Sequence, residues 1–115
     1  MIYTIKSVMA IEFEIVARDE RLQELGYAHL LLGSNRLHKE FFGLLEDLAV
    51  HEEHQRQGIG RQLIDEVIRL ANVYDCYKLI ATSRHGREYV HAIYLEKGFK
   101  DHGKEFRMDL KPPTP

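Results

Sequence analysis

The chain has 115 residues, enough for one domain and too few for two comfortable ones. An apolar share of 44%, a charged share of 30% and a net charge of -2 describe an ordinary globular protein, with no basic excess for general nucleic-acid binding. No apolar run approaches the roughly 20 residues of a membrane helix, and the early charge and alternation are unlike a signal peptide. The expectation is a cytoplasmic protein with no nucleic-acid or membrane partner. Its single cysteine, Cys76, opens an apolar run and reads as a buried, reduced thiol rather than a nucleophile.

In chain order, Tyr3 to Val8 reads as a short strand. From Ile11 to Val16 the alternation is strict, with Ile11, Phe13 and Ile15 on one face and Glu12 and Glu14 on the other. Arg18 to Arg21 is the turn, and Gly26 to Leu32 the returning strand. After a turn at Gly33-Ser34-Asn35, Phe41 to Val50 reads as a central strand, apolar over most of its length. The period then changes. Leu63, Ile64, Val67, Ile68 and Ala71 form the stripe of an amphipathic helix over about 60–72, with Asp65 and Arg69 placed to pair at i and i+4. Tyr77 to Thr82 is β-prone and Ser83 to Gly86 is loop. Tyr89 to Lys97 is a second helix capped by Gly98. Phe99 to Asp101 and Glu105 to Leu110 read as strands around His102-Gly103. Residues 1–110 are expected to form one domain, and 111–115 a flexible Pro-rich tail. The fold class is α+β: a mixed, mostly antiparallel central sheet with two main helices and one parallel βαβ unit.

The stretch from Leu44 to Ala71 is the feature with the most chemical content. It reads as strand, polar turn, long helix, and Gln55-Arg56-Gln57-Gly58-Ile59-Gly60 is the turn. Its glycines allow backbone to approach a bulky anion, and the free N–H groups of the first helical turn point the same way. Arg56 and Arg61 add positive charge. The dinucleotide fingerprint is excluded, because Leu63 stands where it needs a small residue, and the Gly-Lys-Ser/Thr of a P-loop is absent. A glycine-rich turn with no ligand remains an equal reading of these residues alone. His51 and His54 flank two glutamates, but this is not His-Glu-x-x-His and falls in the turn, so no metal site is expected.

Gln55-x-x-Gly58-x-Gly60 is similar to the Q/R-x-x-G-x-G/A signature of the GNAT superfamily of N-acetyltransferases. Leu44 to Val50 resembles that family's central strand. Ala92 to Phe99 resembles its Tyr-Glu-Lys-Leu-Gly-Phe segment, one residue shorter between Tyr94 and Gly98, and Phe106-x-Met108-x-Leu110 resembles its last strand. Together these cover about Ile11 to Leu110. The resemblance implies acetyl-CoA as donor and a primary amine as acceptor. The pyrophosphate would lie on Gln55, Arg56, Gln57, Gly58, Ile59, Gly60 and Arg61. The pantetheine arm would lie along Leu48, Ala49 and Val50. It implies Tyr94 as the acid for the leaving thiolate and Glu46 as the base, through a water, with Asp47 the second choice. Strand alternation puts Glu46 and Asp47 on opposite faces, so at most one faces the acceptor.

The chain departs from the family pattern at two places. Arg87 stands seven residues before Tyr94, where an asparagine often bonds the pantetheine; Arg84 and Arg87 are possible phosphate contacts, and His91 a group near the arm. Only a few residues precede Ile11, so the two helices that usually follow the first strand have no counterpart. An open acceptor site and a homodimer are therefore expected. The alternative is a non-catalytic CoA-binding or protein-interaction module with the same fold.

Overall fold

The computed structural model describes residues 1–112. The chain divides into two compact units, Met1–Ala81 and Thr82 onward. The first holds β1 (Ile11–Arg18), β2 (Glu24–Gly33), β3 (Phe42–Val50), a single 3-10 turn (Glu52–His54), α1 (Ile59–Val73) and β4 (Lys78–Ala81). The strands form one sheet in the order β1-β2-β3-β4. The first two pairings are antiparallel and β3–β4 is parallel. This is the mixed α+β sheet that the sequence pattern describes.

The β1–β2 turn forms because Asp19 satisfies its backbone. Asp19 Oδ1 accepts the N–H groups of Arg21 at 2.8 Å and Gln23 at 3.0 Å. That is a local carboxylate turn of the kind aspartate favours. In register, Ile11 faces Leu32, Phe13 faces Leu30 and Ile15 faces Ala28, so the apolar set of β1 meets the buried set of β2 on one side. Against that side lies α1, through Leu63, Ile64, Val67 and Ala71. Leu30, Leu32, Leu45, Ile64 and Val67 are fully enclosed, and each stabilises the fold by about 1.5–3 kcal/mol relative to exposure. Phe13 also meets the Tyr74 ring at the C-terminal end of α1, centroids 5.1 Å apart.

The second unit carries α2 (Glu88–Glu96). Gly98, at φ 101°, ends it. The Phe99 N–H reaches the Tyr94 carbonyl at 3.0 Å and the Gly98 N–H the Leu95 carbonyl at 3.1 Å. This double bond pattern with its apolar contact is the left-handed glycine cap expected at that position.

Three predicted strands are absent among the described residues. Residues 1–10, including Tyr3–Val8, are exposed and take no regular form. Phe99–Asp101 takes no regular form either, although Phe99 is half-buried, and Glu105–Leu110 is irregular and exposed, with Phe106 90% exposed. A strand-like stretch of sequence describes side chains only. A strand also needs a neighbouring edge for its N–H and C=O groups, and among the described residues these segments have none. On α1, Arg69 binds both carboxylate oxygens of Glu66, at 2.7 and 2.9 Å, a partner the i, i+4 spacing did not point to. A guanidinium fork prefers one carboxylate held bidentately, and i, i+3 spacing allows it. Of the tail, Lys111 and Pro112 are exposed, and 113–115 lie outside the described residues. No helix among the described residues is long and apolar enough to cross a membrane.

Candidate functional site

The site begins where β3 loses a neighbour. The parallel ladder runs from Phe42 opposite Lys78 to Leu45 opposite Ala81 and stops there. β3 itself continues to Val50, still paired with β2 on its inner side. Along Glu46–Val50 the outer edge therefore has no strand partner among the described residues. Main-chain groups on such an edge can take an extended ligand as an added strand. Leu48, Ala49 and Val50, named from the sequence for that role, all lie on it.

The parting coincides with a bulge. Tyr27 pairs with Ala49 and His29 with Glu46, so Ala28 alone faces Asp47 and Leu48. Asp47 sits at φ 59°. One extra residue in one strand breaks the ladder and increases the local twist. Strict alternation, which would put Glu46 and Asp47 on opposite faces, is interrupted here, and both carboxylates are exposed.

Next to the bulge stands His29, which the sequence pattern did not single out. Its Nε2 is 3.0 Å from Glu14 Oε2 and its Nδ1 is 3.4 Å from Glu12 Oε1. The hydrogen bond to Glu14 raises the imidazole pKa above its ordinary 6.5. Partial desolvation opposes this, while the charges of Glu14, Asp47 and Glu12 add to it. The alternation of Glu12 and Glu14 was legible; that His29 pairs with them depends on the register of β1 and β2.

Past Val50 the chain turns into α1. His51 Nε2 contacts Glu24 Oε2 at 2.6 Å, and the His51 N–H donates to the Leu25 carbonyl at 2.9 Å. Both bonds tie the start of the turn to β2. The Gln55 side-chain amide donates to the Val50 carbonyl at 3.0 Å and closes the turn. Arg56 at φ 65° and Gly58 at φ 81° are both left-handed. Glycine at 58 has this conformation without steric cost, and a Cβ built there meets nothing within 4 Å. The first helical bond of α1 runs from the Gln62 N–H to the Gly58 carbonyl. The N–H groups of Ile59, Gly60 and Arg61 thus have no acceptor within the helix. No side chain caps this end and no acidic residue lies in the first turn. Gly60 leaves backbone open, with Val50 Cγ2 at 3.8 Å from where its Cβ would be. Backbone donors, the dipole of a 15-residue helix and two flanking arginines fit an anionic group such as a pyrophosphate. His51 being committed to Glu24, no group of three metal-binding side chains gathers among the described residues.

In the second unit, Tyr94 is 9% exposed and packs on Phe99, ring centroids 5.2 Å apart. Burial pushes its phenol pKa above 10, partly offset by the positive charge of Arg87. A phenol held protonated can donate a proton but is a poor base at neutral pH. Arg87 occupies the N-cap of α2 and accepts the His91 N–H at 3.1 Å. Arg84 and Tyr89 are exposed, and Tyr89 has neither the burial nor the ring contact of Tyr94. Cys76 is free and only half-buried, not fully buried as expected; burial and the Asp75 charge raise its pKa and keep it a thiol.

Comparison with known proteins bears on the family and the fold. A family model described as an acetyltransferase (GNAT) domain matches residues 11–101. An Agrobacterium tumefaciens structure assigned as an acetyltransferase is similar at a TM-score of 0.74 and 25% identity, covering 82% of this chain and 65% of that one. A Trypanosoma brucei acetyltransferase superposes at 0.77 with 24% identity, covering 86% and 69%. Glucosamine-6-phosphate N-acetyltransferase from Arabidopsis thaliana superposes at 0.76 with 14% identity, covering 87% and 67%. The last two likenesses speak for the fold alone. This chain spans 65% of the length of the Agrobacterium structure.

Proposed function

Because this chain belongs to the GNAT acetyltransferase family, we propose that it moves an acetyl group from acetyl-CoA to a primary amine, by direct attack in a ternary complex. The observation that carries the reading is the outer edge of Glu46–Val50, freed where the β3–β4 ladder stops at Leu45, leading straight into the uncapped N-terminus of α1. A ligand with an extended, amide-bearing arm and a pyrophosphate is matched by the two features in sequence.

Acetyl-CoA, when bound, supplies the acetyl group as an activated thioester. The turn Gln55–Arg61 holds the anionic end. Backbone groups of Leu48, Ala49 and Val50 line the arm, and an N–H of this strand polarises the carbonyl, an oxyanion-type contact. Arg87 adds positive charge for the donor. The acceptor presents a difficulty, since a lysine-like amine has a pKa of about 10.4 and arrives as an ammonium. Glu46, exposed at the bulge, draws off that proton through a water. Tyr94 donates a proton to the departing thiolate, a role its burial and protonation support. The acceptor is a small amine, a protein lysine or a protein N-terminus. The GNAT domain occupies residues 1–110. A homodimer covers the apolar residues of the N-terminal arm, where Met1, Ile2 and Ile5 are more than nine-tenths exposed.

The test is a transfer screen of amines and peptides with acetyl-CoA, read as release of free thiol. Acceptor-dependent release supports the enzyme. Tight CoA binding without turnover on any acceptor would replace it with a non-catalytic CoA-binding module.

A further inference from the structure

His51 stands where the chain leaves the sheet, and its N–H, its carbonyl and one ring nitrogen are all committed there. β2 and β3 pair as far as Gly26 opposite Val50. The His51 N–H extends that ladder by one bond, to the Leu25 carbonyl at 2.9 Å. Its carbonyl accepts the His54 N–H at 2.8 Å and so starts the 3-10 turn. Its Nε2 meets Glu24 Oε2, at the head of β2, at 2.6 Å. A bond from N–H to a carboxylate is shorter and stronger than a neutral one. Imidazole can hold a proton on Nε2 whether neutral or cationic, so this bond does not require a charged ring.

The segment that follows has a conformation that its own residues do not favour. Arg56 is left-handed at φ 65°, which a residue with a Cβ enters at a cost. Such a residue persists where its surroundings over-determine it. The far end of the turn is fixed by α1, whose Leu63 and Ile64 lie in the core. At the near end two side chains act. Gln55 closes back on the Val50 carbonyl at 3.0 Å, a bond between residues five apart. The His51–Glu24 bond joins residues 27 apart and ties the start of the turn to a neighbouring strand. The Tyr27 ring stands beside the imidazole, centroids 6.3 Å apart, and limits its swing. Both partners keep solvent access, at 37% and 39% side-chain exposure, so the bond is worth less than a buried one.

We propose that His51 is a positioning residue for donor binding: held by Glu24 of β2, it sets the direction in which the turn Gln55–Arg61 leaves the sheet. The inference rests on the reading that this turn takes the anionic end of the donor. Neither His51 nor Glu24 needs to touch the ligand. The backbone donors at the start of α1 bind an anion only if they converge on it, and the pair raises the fraction of chains in which they do.

The experiment is a double-variant cycle on the full chain: His51→Ala, Glu24→Ala and the two together, each titrated calorimetrically with CoA, with denaturant unfolding measured alongside. Each single variant is expected to bind CoA roughly two- to fivefold more weakly, the range of one partly exposed pair. The double variant should bind no more weakly than either single one, because the same bond is lost in all three. Backbone amide NMR of Glu24→Ala without ligand should show the Gly58 and Gly60 signals moved, although Glu24 lies on β2. His51→Gln keeps a side-chain N–H and is expected to recover much of the lost affinity, but only in chains that keep Glu24; this check does not depend on His51→Ala folding. Losses that multiply in the double variant, or a loss of stability with CoA affinity and the two glycine signals unchanged, overturn the proposal and leave the phosphate site intact. A His51→Gln variant no better than His51→Ala also overturns it. No CoA binding by the unchanged chain overturns both this proposal and the reading it rests on.

Discussion

At the scale of single residues, the two groups assigned to proton transfer sit in opposite environments, and each makes its own prediction. Tyr94 is buried and its phenol stays protonated, so its value lies in donating. Tyr94→Phe should cut turnover by about 10²-fold or more while CoA affinity, measured by calorimetry, stays nearly unchanged. Unaltered turnover would make Tyr94 only the packing partner of Phe99. Glu46 is exposed, one residue past the end of the β3–β4 ladder. Glu46→Gln should flatten the rising limb of the pH–rate profile, because the titrating base is gone. A limb that persists in the variant assigns the proton to another group.

Elements impose the next constraints. In the proposed function the turn before α1 would work through backbone, so its chemistry would depend on two glycines more than on any side chain. Gly58 supplies the left-handed link, and Gly60 keeps the first helical turn open. Gly60→Glu places a carboxylate at the helix end proposed to hold the donor's phosphates, which no side chain caps; CoA titration should show no binding, and unchanged affinity would remove the phosphate site. The sheet has a separate vulnerability. Leu30 is 0% exposed, in β2 between Phe13 of β1 and Leu45 of β3. Leu30→Ala should lower unfolding free energy by about 2–5 kcal/mol in denaturant titration, the sum of lost transfer energy and a cavity.

For the whole molecule, its unpaired segments decide how it associates. The outer edge of β1 has no neighbour among the described residues, and the apolar arm preceding it is exposed. Exposed edges and apolar arms favour pairing with a second chain. Sedimentation of the chain at micromolar concentration should show a dimer; a monomer there would count against the association.

What the sequence alone determined were features of short range. Period two in β1 and period 3.6 in α1 follow from local side-chain spacing, so both elements were legible, as were the glycine turn and the Gly98 cap. The family resemblance rested on those same local motifs, and the match over residues 11–101 agrees with it. Tertiary structure decided whatever needed a partner distant in the chain. The strand-like composition of Tyr3–Val8 and Glu105–Leu110 could not reveal that no edge among the described residues pairs with them, because ladder bonds are made between strands. The free edge from Glu46 to Val50 exists only because the β3–β4 ladder stops at Leu45. The bulge at Asp47 and the pairing of His29 with Glu14 are matters of register, set by which faces the core buries, and no spacing within one strand encodes them.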